Sequence, residues 1–135
     1  MTRFSASAPA ERRQLYVDAI TAHRERGSGF LTLEADSAGR EERDESEPLN
    51  APWVQFADGT INIDCTDAEL EALKALLEDF PAFKIDDLTR PDEADGINVR
   101  VSAKADPNRI AQCIDDVFLE VYGLPSTVRI WAVDV

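Results

Sequence analysis

Thr60-Ile61-Asn62-Ile63-Asp64-Cys65, running into Thr66-Asp67-Ala68-Glu69-Leu70, is the stretch on which the fold turns. Its first half alternates branched aliphatic with polar residues, the period-two pattern of a half-buried strand. Its second half is a capping box: the Thr66 hydroxyl and the Glu69 carboxylate each close an exposed amide at a helix start. Leu70, Leu73, Leu76, Leu77 and Phe80 recur at three- and four-residue steps, and Pro81 stops the helix. A strand therefore runs directly into an amphipathic helix.

The pattern extends in both directions. Upstream, Trp53-Val54-Gln55-Phe56 precedes Ala57-Asp58-Gly59, and Asp-Gly between alternating runs signals a hairpin. Downstream, Phe83 and Ile85 alternate with Lys84 and Asp86. Ile97, Val99 and Val101 alternate with Asn98, Arg100 and Ser102. Asp106-Pro107 opens a last helix as cap and first-turn proline. Ile110, Cys113, Ile114, Val117, Phe118 and Val121 form its stripe, and Gly123 ends it. Val128 to Val133 reads as a final strand. Near the N-terminus, residues 9–26 read as a helix with Leu15, Tyr16, Ala19, Ile20 and His23 on one face. Residues 29–35 read as a strand. Asp36 to Asn50 carries six carboxylates against Arg40 and Arg43, and reads as a solvated, mobile loop.

From Thr60 onward the order is strand, helix, strand, strand, helix, strand. It resembles the split βαβ pattern of ferredoxin-like folds. The expected fold is thus α+β: a βαββαβ core over about 60–135, preceded by a helix–strand–strand extension in 1–59, all in one domain of 1–135. One point strains this order. The first strand of such a fold lies centrally, yet here it also pairs with 53–57. Either that partner turns away at an edge, or the sheet order differs.

Composition bounds the function. The 135 residues suit one domain, which buries roughly two-thirds of its unfolded surface and needs no disulfide or metal to fold. No apolar run reaches the roughly 18 residues of a spanning helix. No secretory signal is visible at Met1-Thr2-Arg3-Phe4, so the expected location is cytoplasmic. The net charge is −13, with 27 acidic against 14 basic residues, and only Lys74, Lys84 and Lys104 are lysines. This acid-rich, lysine-poor usage resembles that of proteins from salt-accumulating halophilic archaea. The resemblance implies adaptation to molar salt, where self-repulsion is screened. It also weighs against nucleic acid, whose binding rests on basic residues that displace counterions.

Few residues stand out as carriers of chemistry. Cys65 lies between a strand and a helix cap, where a thiol can become a nucleophile. Asp64 and Asp67 beside it oppose ionisation. Cys113 falls on a core stripe. His23, the only histidine, sits at a helix C-terminus, where packing or capping accounts for it. The turn Pro91-Asp92-Glu93-Ala94-Asp95-Gly96 fails as a calcium loop, since Pro91 and Ser102 would occupy ligand positions. No glycine-rich phosphate loop, serine elbow or zinc pattern occurs, and no cofactor or metal is expected.

One sheet face remains. If Ile61, Ile63, Ile97, Val99, Val128 and Ile130 point to the core, then Asn62, Lys84, Arg100, Arg129 and Trp131 point away. Arginine beside tryptophan suits a planar anion. Lys84, Arg100, Arg129 and Trp131 are therefore the candidate ligand contacts, unless the first helix covers this face. An RNA-recognition module would need aromatics on its central strands, which Ile61–Ile63 and Ile97–Arg100 lack. The expected function is a non-catalytic domain that binds a small molecule or a protein partner, resembling ACT-like regulatory domains and able to form a homodimer. The alternatives are a small enzyme using Cys65, and an assembly protein without ligand.

Overall fold

The computed structural model describes residues 5–26, 31–35, 52–89 and 96–134. The acidic stretch 36–50, the turn 91–95 and residues 27–30 lie outside them. The described elements are β1 (Ser5–Ala6), α1 (Pro9–Arg26), β2 (Leu31–Ala35), β3 (Trp53–Ala57), β4 (Thr60–Cys65), α2 (Asp67–Leu77), β5 (Lys84–Thr89), β6 (Ile97–Ser102), α3 (Pro107–Asp116) and β7 (Ile130–Asp134). The chain is α+β: one seven-stranded antiparallel sheet with its helices on one face.

Local signals account for the elements. The capping box forms as drawn: Glu69 N donates to Thr66 Oγ1 at 3.1 Å, and Thr66 N to Glu69 Oε1 at 2.8 Å. Asp58 and Gly59 both take positive φ, 51° and 79°, as a two-residue hairpin requires. Asp106 caps α3 through Arg109 N. Past Asp116 the helix widens into a π-helical segment, Val117–Val121. It keeps Val117, Phe118 and Val121 all buried.

The strand order is β1-β7-β2-β3-β4-β6-β5. Strands β4, β6 and β5 keep the neighbour relations of the expected core. The last strand, β7, does not lie beside β4: the β2–β3 pair sits between them. The strain seen at the 53–59 hairpin thus resolves as a different sheet order. β3 pairs with β4 through Phe56↔Ile61, while β2 holds β3 on one side and β7 on the other. β1, two residues long, pairs with β7 and has no counterpart in the sequence pattern.

The buried strand residues feed one core. Leu31, Leu33, Val54, Phe56, Ile61, Ile63, Val99 and Val101 pack with Tyr16 and Ile20 of α1, Leu70 and Leu73 of α2, and Ile110 and Ile114 of α3. α1 therefore packs on the helical side, against α3. It leaves the opposite sheet face to the polar residues of the strands.

Candidate functional site: a cleft on the open sheet face

Three cross-strand neighbours build the centre of that open face. Asn62 of β4 lies opposite Gln55 of β3 on one side and Arg100 of β6 on the other. Cross-strand partners share a face, so period-two alternation alone brings their side chains together. Asp86 joins them by another route. The register of β5 against β6 slips between Ile85 and Asp87, leaving Asp86 as an extra residue. Such a bulge re-aims a side chain. With Ala57 and Thr60 these residues line a cleft of about 350 Å³. That is the low end of small-molecule sites.

The electrostatics of this cleft are unbalanced. Arg100 and Asp86 both line it, yet neither forms an ion pair among the described residues. Asn62 Nδ2 donates to Gln55 Oε1 at 3.3 Å, while Asn62 Oδ1 is shielded from water and accepts nothing. An unmet buried acceptor costs about 1–3 kcal/mol. Gln55 and Arg100 flank Asn62 on the neighbouring strands.

The residues singled out in the sequence divide into two groups. Lys84 lies opposite Ser102, one row along the same face from Arg100. Arg129 and Trp131 belong to the other end of the sheet. β4, β3 and β2 separate β6 from β7, which is four strand spacings or about 19 Å. Arg129 Nη1 donates to Ser5 Oγ at 2.9 Å, tying β1 to the segment before β7. Arg100 and Trp131 thus share a face without sharing a site.

The thiols sit elsewhere. Cys65 is 2% exposed, and its pKa is pushed up to about 12 by burial and by the nearby Glu69 and Asp64 carboxylates. It stays protonated at neutral pH, which works against a nucleophilic role. Burial raises Cys113 to about 12 as well. His23 is buried and meets Phe56 edge to face at 5.7 Å. On the helical side, a second depression of about 310 Å³ includes Arg109, Asp115 and Asp116. Two of its charged groups are engaged within the fold: Arg109 stacks 4.1 Å over Phe80 and donates to Gln112 and the Asp79 carbonyl, and Asp115 pairs with Arg12.

The model of one protein family matches residues 1–135. The chain belongs to DUF7975, a family of unknown function. Comparison with curated proteins and with solved structures gives no match. For this DUF7975 chain, function is therefore read from side chains. Two of those were missed in the sequence. Gln55 could have been placed by alternation with Val54 and Phe56. Asp86 could have been placed on the face of Lys84 by the same alternation; that Asp87 shares the place opposite Arg100 could not, because a bulge is a property of the strand pair.

Proposed function

We propose that the chain is a non-catalytic binding domain that takes a small zwitterion, of the α-amino acid class, in the Arg100 cleft. One observation carries this reading: a cation and a carboxylate, Arg100 and Asp86, line one cleft without an ion-pair partner among the described residues. A ligand carboxylate matches the guanidinium. A ligand ammonium matches Asp86 and has N–H groups for the unmet Asn62 Oδ1. Neighbouring strands lie about 4.8 Å apart, so the opposite charges sit close enough for one small molecule.

A ferredoxin-like, regulatory type of domain is supported by the βαββαβ chain order from Thr60 onward, with the preceding β2–β3 pair lying in the sheet between its first and last strands. The acid-rich, lysine-poor surface fits a chain adapted to the molar salt of a halophilic archaeal cytoplasm. The test is thermal unfolding in molar KCl with each common α-amino acid at millimolar concentration. At least one should raise Tm, and Arg100→Ala and Asp86→Asn should each abolish the rise. A panel without effect, or a rise unchanged in both variants, rejects the reading.

A further inference from the structure

At the far end of the same face, Glu34 of β2 lies between two tryptophans. Its cross-strand partner on β3 is Trp53, and its partner on β7 is Trp131. These are the only two tryptophans in the chain. Trp131 is 37% exposed, Glu34 is exposed and Trp53 half-buried. The three side chains leave the sheet on one side, in one row perpendicular to the strands.

We propose that Trp53, Glu34 and Trp131 form a binding site for a small quaternary ammonium ion. The spacing supports it. Two strand intervals put the indoles about 10 Å apart at their bases, a span that one small organic cation above Glu34 bridges. Cations are held by aromatic faces within about 6 Å of the ring centre. Glu34 supplies a charge at that midpoint, and has no ion-pair partner among the described residues. Arg129, the cation nearest to Trp131 in sequence, is engaged with Ser5.

The chemistry selects the class of cation. A metal ion needs several ligands, and no group of three His, Cys, Asp or Glu side chains that could hold one occurs among the described residues. A primary ammonium needs several hydrogen-bond acceptors, where this site offers one carboxylate. A quaternary ammonium has no N–H to satisfy. It is weakly hydrated, and needs only a counter-charge and polarisable faces. The net charge of −13 also raises the local concentration of cations. This site is independent of the Arg100 cleft.

Because both tryptophans belong to the site, intrinsic tryptophan emission reads it alone. Tetramethylammonium chloride should be titrated into the protein by replacing KCl mole for mole at constant ionic strength. The expected result is a saturable change in emission. Trp131→Ala, a substitution at an exposed position, should weaken the fitted Kd about fivefold or more, as should the isosteric Glu34→Gln. Emission that changes only linearly, or that saturates equally in both variants, overturns the proposal. So does a response to phosphatidylcholine vesicles without one to tetramethylammonium, which would point to a membrane surface instead.

Discussion

Arg12 and Asp115, 103 residues apart in sequence, meet in the interior, where the Arg12 Nε donates to Asp115 Oδ1 at 2.8 Å. Arg12 is fully buried. Its Nη1 donates to the carbonyls of Ser7, Ser126 and Val128. Tyr16 donates its hydroxyl to the same Asp115 oxygen at 2.9 Å. This network ties α1 to α3 and to the segment before β7, and so holds the N-terminal helix on the helical side. It keeps α1 off the other sheet face.

Removing one partner leaves the other charge buried and unmet. Arg12→Ala should therefore cost about 3–5 kcal/mol, read as a lower midpoint in urea unfolding. Tyr16→Phe loses one bond to a charged group and should cost about 1.5–3 kcal/mol. Equal midpoints for wild type and Arg12→Ala would contradict a structural role for this pair.

The two thiols should be inert in the native state. With pKa values pushed up to about 12, neither Cys65 nor Cys113 is ionised near neutrality. Iodoacetamide at pH 7.5 should leave both unmodified, and should label both once guanidinium unfolds the chain. The linkage has a definite sign. Both thiols hold their proton more tightly in the folded state, so stability should fall as pH rises beyond the ordinary thiol value near 9. Mass spectrometry showing rapid labelling of native Cys65 would reopen the enzyme alternative.

Asp116 has its carboxyl pKa raised by burial and then by Glu120, Asp115 and Asp79, with Arg109 opposing. A raised carboxyl pKa means the folded state binds its proton more readily than the unfolded one. Its ionisation therefore destabilises the fold as pH climbs from the ordinary carboxylate range through the raised value. Asp116→Asn should lift Tm at neutral pH and leave it unchanged well below pH 4. A lower Tm for the variant at pH 7 would show that the carboxylate is needed.

Asn62 should trade stability for binding. Its Oδ1 is buried and unmet, and asparagine is a poor strand residue. Asn62→Val should raise stability by about 1 kcal/mol and abolish the amino-acid-dependent rise in Tm. If the variant is less stable, the open face relies on the Asn62–Gln55 bond more than its 3.3 Å length suggests.

Salt should stabilise the chain. At 10 mM KCl the screening length is about 30 Å, so the excess carboxylates repel one another across the molecule; at 1 M it is about 3 Å. Tm should rise on going from millimolar to molar KCl, by roughly 7 °C if the repulsion costs about 2 kcal/mol. A Tm independent of KCl would defeat the halophilic interpretation.

Sequence by itself determined the elements and their faces. The Thr66–Glu69 box, the Asp58-Gly59 turn and the Ile97–Val101 alternation are local devices, each set by residues within a few positions. Period-two alternation likewise placed Arg100 and Trp131 on the outer face before any strand was paired. Tertiary structure decided the rest. Whether β7 meets β4 or β2 depends on which edges remain unpaired once the 53–65 hairpin has formed, and that is a competition among distant segments. The insertion of β2 and β3 separated Arg100 from Arg129 and Trp131, and brought Trp53 and Glu34 to Trp131 instead. The bulge that sets Asp87 beside Asp86 opposite Arg100 arises only when β5 meets β6. Local chemistry sets where each side chain points, but non-local pairing sets which side chains meet, because hydrogen bonding along a strand edge scarcely depends on the residues it joins.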